Sequence, residues 1–253
     1  LMDPTLTKEN QQFCFHIVKR NTNRMMFLVN QLLDFRKINA NLNILKVSVA
    51  DLSQFIGKTS EAFLWEARRK QINFNIIKPD SFECYFDRHI IEKVLYNLIS
   101  NAFKFTPQYG IIEIELKPVW KGEVKEASII IRDSGKGISN EDKTKVFERF
   151  YHGKDRVSSG IGLHLSNQFI KAHKGEIIVS DSNYGGAEFT VSLPVSENKY
   201  SAEELFVEDK VPFDKLQNNW LIENSETEKE RAQEERETIL IVEDDQDLRA
   251  YLK

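Results

Sequence analysis

The sequence contains only two cysteines and no long apolar run. Cys14 and Cys84 lie far apart, and neither belongs to a CxxC motif or a Cys/His cluster, so the pattern excludes a disulfide framework and a zinc motif. We expect both thiols to be reduced and buried, which suits a cytosolic compartment. No stretch approaches the roughly 18 apolar residues of a membrane-spanning helix, and the first residues lack the pattern of a signal peptide. The chain is therefore expected to be soluble, even as part of a membrane system.

The chain also lacks the excess of basic residues that is typical of nucleic-acid-binding proteins. Its net charge is −4, which argues against nucleic acid as the main partner. With 253 residues, of which 41% are hydrophobic and 29% are charged, the chain can bury the core of one large domain or of two modest ones.

Hydrophobic spacing predicts a long helix followed by an α/β domain. Between residues 7 and 38 the apolar residues recur at helical spacing, so this helix must pack on another surface. The segment 43–195 alternates strand-like runs with helical patterns at 51–70, 87–105 and 161–172, which predicts a mixed sheet covered by helices on one face, an α/β sandwich. The strand-like runs are ILKVSV, INFNII, FECYF, IIEIEL, ASIIIR, EIIVS and EFTVSLP.

The remaining residues are predicted to form a linker and the start of another domain. Residues 196–237 hold 13 acidic and 6 basic residues, so this segment is predicted to be a linker rather than a packed layer. Residues 238–253 read TILIVEDDQDLRAYLK. This pattern indicates a buried strand, followed at once by an acidic cluster and the beginning of a helix.

Three polar side chains line one face of the helix predicted for residues 87–105. In NLISNAFKF, Asn97, Asn101 and Lys104 fall within roughly 60° of one another, while apolar residues, Phe105 among them, occupy the neighbouring arc. An amide oxygen is a hard ligand that suits Mg²⁺, and a lysine one turn further on can meet the phosphates that the metal carries. A solvent-facing amphipathic helix has the same line of polar residues.

Two clusters that contain glycines follow this helix. The apolar strand ASIIIR is followed by Asp133, with Gly135 and Gly137 close behind. A carboxylate at a strand end can accept a hydrogen bond from the amino group of a base, and the glycines let a flat ring approach the backbone. In SSGIGLHLS, Gly160 and Gly162 stand at a predicted helix start, whose free N–H groups can hold phosphate oxygens. Either cluster alone is compatible with an ordinary turn.

The order of these motifs resembles that of histidine kinase ATP-binding domains. NLISNAFKF resembles the N box, DSGKG the G1 box, VFERFY the F box, and SGIGL the G2 box. The resemblance implies the Bergerat fold of the GHKL ATPases, which NYGGAEFTVSLP would close with its strand. RNTNRMMFLVNQLLDFRKI resembles the second helix of a dimerisation and phosphotransfer domain, and ILIVEDDQDLRAYLK resembles the start of a receiver domain. The whole resembles a hybrid sensor histidine kinase of a two-component system.

The resemblance implies a role for each matching residue. Asn101 would coordinate the Mg²⁺ of ATP, and Asn97 would assist at the metal or the phosphates. Lys104 and Arg149 would act on the phosphates in catalysis. Asp244 and Asp245 would help to hold Mg²⁺ in the receiver. Further cofactor-binding positions would be Phe105 and Asp133 at the adenine, Gly135 and Gly137 around it, and Gly160, Gly162 and Leu163 at the phosphates. Lys154 and Arg156 are weaker candidates, because each could be a solvated charge.

The resemblance also implies partners. Two copies would pair through the dimerisation helices, of which residues 1–42 supply one. The ATP-binding domain of residues 43–195 would serve a receiver domain that starts at residue 238 of the same chain. The parent protein would be membrane-anchored, with this part in the cytoplasm. We expect the apolar stripe of residues 7–38 to associate with another apolar surface, because the first helix of its bundle is missing.

No histidine matches the phosphoacceptor that such a kinase needs. The acceptor is usually followed by Glu or Asp, which can activate the imidazole as a base. The histidines here are followed by Ile17, Ile90, Gly153, Leu165 and Lys174. His16 is therefore expected to be a surface or packed histidine. We expect the true acceptor to lie in the preceding helix, and the receiver fragment to stop before its phosphoacceptor aspartate.

Departures from the family pattern leave two other functions open. Ser158 and Ala187 replace a glycine and a small hydroxyl residue, and the lid of residues 151–159 is short. The short lid and Ala187 would suit a degenerate scaffold module that holds no nucleotide, whereas Ser158 is the mildest change because serine tolerates a turn. A hydrolysing GHKL ATPase is the other alternative. It would use a Glu on the N-box helix to activate water, and Asn97 stands in that place.

Overall fold

A computed structural model of the protein describes residues 45–121, 124–151 and 160–206. The elements in chain order are β1 (Ser48–Asp51), α1 (Leu52–Glu61), α2 (Leu64–Lys70), β2 (Asn73–Ile77), β3 (Glu83–Phe86), α3 (Arg88–Phe105), β4 (Ile111–Lys121), β5 (Val124–Asp133), α4 (Asn140–Lys143), α5 (Gly162–Ala172), β6 (Glu176–Asp181), β7 (Ala187–Pro194) and a 3₁₀ turn at Glu197–Lys199. Each predicted strand-like run contains or overlaps one of these strands. The helix predicted for residues 7–38 and the receiver start lie outside the described residues. Among the helices that are described, none is long and apolar enough to cross a membrane.

Five strands form the main sheet, in the order β2-β4-β5-β7-β6. β2 and β4 run parallel, whereas the other neighbouring pairs are antiparallel. The sheet is therefore mixed, as predicted. β1 and β3 form a separate antiparallel pair.

One face of the main sheet is apolar and packs under the helices. Ile112 and Ile114 of β4 are fully buried, and the side chains of β7 alternate between buried and partly exposed. Helices α1, α3 and α5 contribute their apolar sides to the same hydrophobic core. Strand alternation places every second side chain on this face, so the chain forms the predicted α/β sandwich with helices on one face.

Two aspartates set the beginnings of the predicted helices. Asp51 Oδ1 accepts the Gln54 N–H at 3.0 Å, and Asp87 Oδ1 accepts the Ile90 N–H at 3.1 Å. Each carboxylate thereby satisfies a backbone donor that the first turn leaves unpaired. Helices α1 and α3 therefore begin directly after these caps.

The helical pattern at residues 51–70 is two helices rather than one. α1 ends at Glu61, and α2 begins at Leu64. The break directs Phe63 into the core, where its ring stacks on Phe103 with the centroids 5.5 Å apart. Burial of this ring favours the break, although the periodicity of the sequence continues through it.

The opposite face of the sheet, here called the open face, carries a charged cluster. Arg132 lies across β4, β5 and β7, with its Nη1 2.7 Å from Glu113 and 2.8 Å from Glu115, and its Nε 2.5 Å from Glu188. Burial would raise the pKa of Glu115, but hydrogen bonds from Arg132 and Lys117 lower it below its ordinary value. The cluster ties three neighbouring strands together through their side chains.

A buried histidine joins the segment after β7 to the rest of the domain. His173 Nε2 accepts the Asp87 N–H at 3.0 Å, so Nδ1 carries the hydrogen and donates to the Tyr200 hydroxyl at 2.9 Å. That hydroxyl donates to the Pro194 carbonyl oxygen. Burial lowers the pKa of His173 to about 4, so the neutral imidazole holds Tyr200 against the core.

The first and the last described segments of the chain lie side by side. Val47 and Leu205 form a parallel bridge, in which the Val47 N–H donates to Glu204 and the Phe206 N–H donates to Val47, both at 2.8 Å. Residues 197–206, which fall within the predicted linker, are therefore packed onto the domain.

One cysteine can be placed. Cys84 is buried and free, as predicted, and burial raises the pKa of its thiol to about 12. A thiol with this pKa stays protonated and unreactive at neutral pH. Cys14 lies outside the described residues.

Candidate functional site

The three predicted motifs meet in space. Asn97 of the N box lies against Gly162 of the G2 box, because a Cβ at Gly162 would be 2.3 Å from Asn97 Oδ1. The C-terminal end of the same helix lies against the G1 box, because a Cβ at Gly135 would be 2.6 Å from the Phe105 carbonyl oxygen. Helix α3 therefore contacts both glycine-containing segments.

Asp133 is a buried carboxylate at the end of β5. Its side chain is 5% exposed. Oδ1 accepts two backbone hydrogen bonds, from the Gly135 N–H at 2.8 Å and from the Ala187 N–H at 3.2 Å. Within the described part of the chain, Oδ2 accepts none. Burial raises the pKa of Asp133 above its ordinary value. The site thus offers one carboxylate oxygen to a donor from outside the protein.

Glycines surround this carboxylate. A Cβ at Gly186 would lie 2.2 Å from Asp133 Oδ1 and 2.5 Å from the Gly135 nitrogen, distances that no real Cβ tolerates. Gly137 has φ +69°, which glycine adopts without steric cost. Sequence reasoning did not single out Gly186, although it belongs to a glycine pair directly before β7. The glycine at 186 therefore lets the backbone before β7 pack directly against the Asp133 carboxylate.

Ala187 contributes its backbone rather than its side chain. The family pattern often has a hydroxyl residue here, and the alanine is 5% exposed. Its N–H donates to Asp133 Oδ1, a contact that any residue except proline can make. The departure at this position therefore leaves the support of Asp133 intact.

Phe105 is an exposed aromatic residue beside the G1 box. Its side chain is 37% exposed, whereas the neighbouring Phe103 is buried. The Lys104 ammonium lies 5.1 Å from the centroid of the Phe105 ring, and the Lys136 ammonium lies 5.3 Å from it. Phe105 thus belongs less to the core than its place on the apolar arc predicts, and Lys136 is a residue that sequence reasoning missed.

The amide of Asn97 is fixed between α3 and α5. Its Nδ2 donates to the Ser166 hydroxyl at 2.8 Å, while its Oδ1 lies against Gly162. The glycine at 162 is therefore required by the close packing of the two helices. Asn101 is one turn further along α3 and partly exposed. Leu163 packs against the hydrophobic core.

The segments on either side of residues 152–159 are joined by a hydrogen bond. The Phe150 N–H donates to the Gly160 carbonyl oxygen at 3.0 Å, and Gly160 has φ +64°. A Cβ at Gly160 would be 2.7 Å from the Tyr151 carbonyl oxygen, so a glycine is needed at this crossing.

Arg149 is next to this crossing, on the surface. Its guanidinium carbon lies 4.6 Å from the centroid of the exposed Phe150 ring. The interaction is a cation–π contact. Lys154, Arg156 and Ser158 lie outside the described residues, as do His16, Asp244 and Asp245.

The fold and the site define a class of protein. A one-sided α/β sandwich, a buried carboxylate beside a glycine-lined space, and a helix that presents amides are the arrangement of a Bergerat-type ATP-binding domain. Residues 86–197 match the family of histidine kinase-, DNA gyrase B- and HSP90-like ATPases.

Known relatives narrow this class. The chain is 31% identical over 252 residues to Histidine kinase P4 of Formosa agariphila, a match that covers 94% of this chain and 18% of the relative. It is 32% identical to Hybrid signal transduction histidine kinase D of Dictyostelium discoideum, with 72% of this chain and 12% of the relative covered. The chain thus spans less than a fifth of either curated relative.

A solved structure agrees with these matches. The catalytic domain of histidine kinase ThkA is 25% identical, with a TM-score of 0.55 over 60% of this chain and 99% of that chain. The chain therefore carries an ATP-binding domain of the histidine kinase type.

Proposed function

We propose that this chain is the catalytic core of a hybrid histidine kinase, which binds Mg-ATP and transfers its γ-phosphoryl group to a histidine outside the chain. The phosphoryl group would then pass to an aspartate of the receiver domain. Oδ2 of the buried Asp133, which accepts no hydrogen bond from the described residues, carries this proposal, because it would accept one from the adenine amino group. Gly135 and Gly186 support it, since their backbones pack closely against the carboxylate and hold it in place, and Gly137 would add no side chain where the flat base approaches.

The residues of α3 fit the phosphate end of the nucleotide. Mg²⁺ would neutralise charge on the phosphates when it is bound. Asn101 would hold it through its amide oxygen, a hard ligand. Lys104 would contribute one positive charge, and the N–H groups at the start of α5 would donate hydrogen bonds to phosphate oxygens. These residues would position and neutralise the nucleotide, which is most of what phosphoryl transfer requires of a protein.

The transfer itself needs a group from another part of the protein. An imidazole nitrogen would attack the γ-phosphorus, the bond from that phosphorus to the bridging oxygen of the β-phosphate would break, and ADP would leave. The imidazole would lose its proton to a neighbouring base. We propose that the parent protein is a membrane-anchored homodimer that supplies this histidine from the first helix of its dimerisation domain, with the domain described here in the cytoplasm.

Nucleotide binding is tested by titrating a fluorescent ATP analogue into the chain and its Asp133→Asn variant, with and without Mg²⁺. An asparagine oxygen can still accept the Gly135 and Ala187 N–H groups, so we expect the variant to fold. Its NH₂ group would then face the adenine amino group, donor against donor, and we expect the affinity to fall by about tenfold or more. Asp181→Asn is the matched control, because Asp181 is 73% exposed.

The phosphoacceptor is tested separately. A dimerisation domain with both helices would be mixed with the chain and radiolabelled ATP, and acid-labile phosphate on the domain is the expected result. If the chain binds ATP but releases only inorganic phosphate, the hydrolysing ATPase is the better assignment. If wild type and Asp133→Asn both fail to bind the nucleotide, the scaffold alternative replaces the kinase.

A further inference from the structure

Ser166 is a buried residue of α5 that lies against the N box. It is 1% exposed, and its hydroxyl oxygen accepts the Asn97 Nδ2–H at 2.8 Å. Ser166 follows Gly162 by four residues, so both lie on one side of α5. Asn97 contacts both of them. The amide of Asn97 is therefore held at its two ends by one side of the same helix.

The orientation of this amide follows from Gly162. A serine hydroxyl can donate to an amide oxygen or accept from an amide nitrogen, so Ser166 by itself allows either orientation. Asn97 Oδ1 lies 2.3 Å from the place of a Cβ at Gly162, which is a direction of the glycine Cα–H bonds. An oxygen is attracted there by the C–H group and by the positive end of α5. With the oxygen towards Gly162, the NH₂ group faces Ser166, which accepts it.

We propose that Ser166 is a positioning residue for the nucleotide site. It holds the Asn97 amide with its oxygen towards the start of α5. This contact keeps one spacing between α3, which carries Asn101, and the first turn of α5, which begins at Gly162. The inference rests on the proposed function, in which Asn101 holds the metal and the start of α5 holds the phosphates. Ser166 is expected to affect binding of the metal-bound triphosphate, whereas binding of the adenine depends on Asp133.

The test compares Mg-ATP with adenosine on the full chain. In Ser166→Ala we expect the affinity for Mg-ATP to fall about fivefold, the scale of one neutral hydrogen bond. The affinity for adenosine should stay unchanged, because Asp133 is untouched. Ser166→Thr keeps the hydroxyl and should restore most of the loss. Ser60→Ala is the matched control, since Ser60 is also fully buried and its hydroxyl donates within α1 to Ile56 at 2.7 Å.

A second readout follows the Asn97 side chain directly by NMR. We expect its NH₂ hydrogens to exchange slowly in wild type and rapidly in Ser166→Ala. Equal losses for Mg-ATP and adenosine, or no loss for either, would overturn the inference. Rapid exchange in wild type would overturn it as well, even where Ser166→Ala does not fold. If wild type binds neither ligand, the proposed function fails, and the exchange rates still decide whether Ser166 holds Asn97.

Discussion

Asp133 and Gly186 approach so closely that no side chain fits between them. A Cβ at Gly186 would lie 2.2 Å from Asp133 Oδ1 and 2.4 Å from the Asp133 carbonyl oxygen. Gly186→Ala must therefore move the backbone or the carboxylate. We expect it to lower the free energy of unfolding by about 1–3 kcal/mol and to abolish ATP binding, as measured by urea unfolding and by titration.

The control for this substitution is a glycine that has room. Gly57 lies inside α1, and the nearest atom to an added Cβ is the flexible Lys78 Cε at 3.3 Å. Gly57→Ala should stabilise the protein by ~0.5–1 kcal/mol, because alanine loses less entropy in a helix. A Gly186→Ala protein with the stability and affinity of wild type would contradict the role given to this contact.

Asn101→Ala tests the metal end of the site. Asn101 is only partly exposed yet has no hydrogen bond among the described residues, so we expect the stability to change by less than about 0.5 kcal/mol. The ratio of the ATP affinity with Mg²⁺ to that without Mg²⁺ should be about tenfold smaller in the variant than in wild type. This is the usual scale for the loss of a coordinating group. Binding is measured at fixed nucleotide and increasing Mg²⁺. Asn75→Ala on β2 is the control, and a normal Mg²⁺ response in Asn101→Ala would exclude Asn101 as the ligand.

The stability of the domain should depend on the protonation of His173. Its pKa in the folded protein, about 4, lies below the ordinary value of 6.5. The unfolded chain therefore binds the proton first, and stability that is complete above pH 6.5 is lost as the pH falls towards 4. The loss is on the order of 3 kcal/mol. Urea unfolding at several pH values between 4 and 7.5 measures it.

A substitution isolates this effect from that of other groups. His173→Gln keeps an acceptor near the Asp87 N–H but has no proton to bind, so its stability should fall less steeply between pH 6.5 and 4. His89→Gln, at an exposed position, should retain the wild-type slope. Identical slopes for wild type and His173→Gln would show that the histidine is not the titrating group.

The charged cluster on the open face should depend on Arg132, which contacts all three of its glutamates. Arg132→Met leaves the carboxylates of Glu113, Glu115 and Glu188 together, and we expect a loss of about 3–5 kcal/mol. Removal of Arg132 also removes a cause of the lowered pKa of Glu115. The deficit relative to wild type should therefore shrink as the pH falls from 7 to 5. Lys117→Met is the control, since Lys117 is 51% exposed and should cost less than about 1 kcal/mol. A deficit that stays constant with pH would exclude carboxylate repulsion as its cause.

Local patterns of the sequence predict most of the secondary structure. The alternation of the strand-like runs and the aspartates at 51 and 87 depend on neighbouring residues only, and both appear in the structure. The break after Glu61 does not follow from such a pattern, because it depends on the packing of Phe63 on Phe103. The order of the strands also depends on contacts between distant segments.

In the candidate site, too, features that depend on contacts between distant segments could not be predicted from local patterns. The motif residues of α3, β5 and α5 are predicted to act together, and the structure brings Gly162 against Asn97 and Gly135 against the Phe105 carbonyl group, both on α3. Ser166 and Gly186 were missed, because their importance depends on which helix and which strand lie opposite. A serine four residues after Gly162 and a glycine pair directly before β7 are the signals that could have indicated them.

The parallel bridge between Val47 and Leu205 has a mechanical consequence. The segment that enters the domain at Val47 and the segment that leaves it at Leu205 lie side by side and run in the same direction. The residues between them therefore form a loop that this bridge closes. A tension applied through residues 45 and 206 would load the hydrogen bonds of Val47 with Glu204 and Phe206 in shear. These two bonds would share the force with the hydrogen bond from the Lys46 N–H to Asp87 and the ion pair of Glu204 with Lys174, so a pull on the ends would be felt at the Asp87 cap of α3.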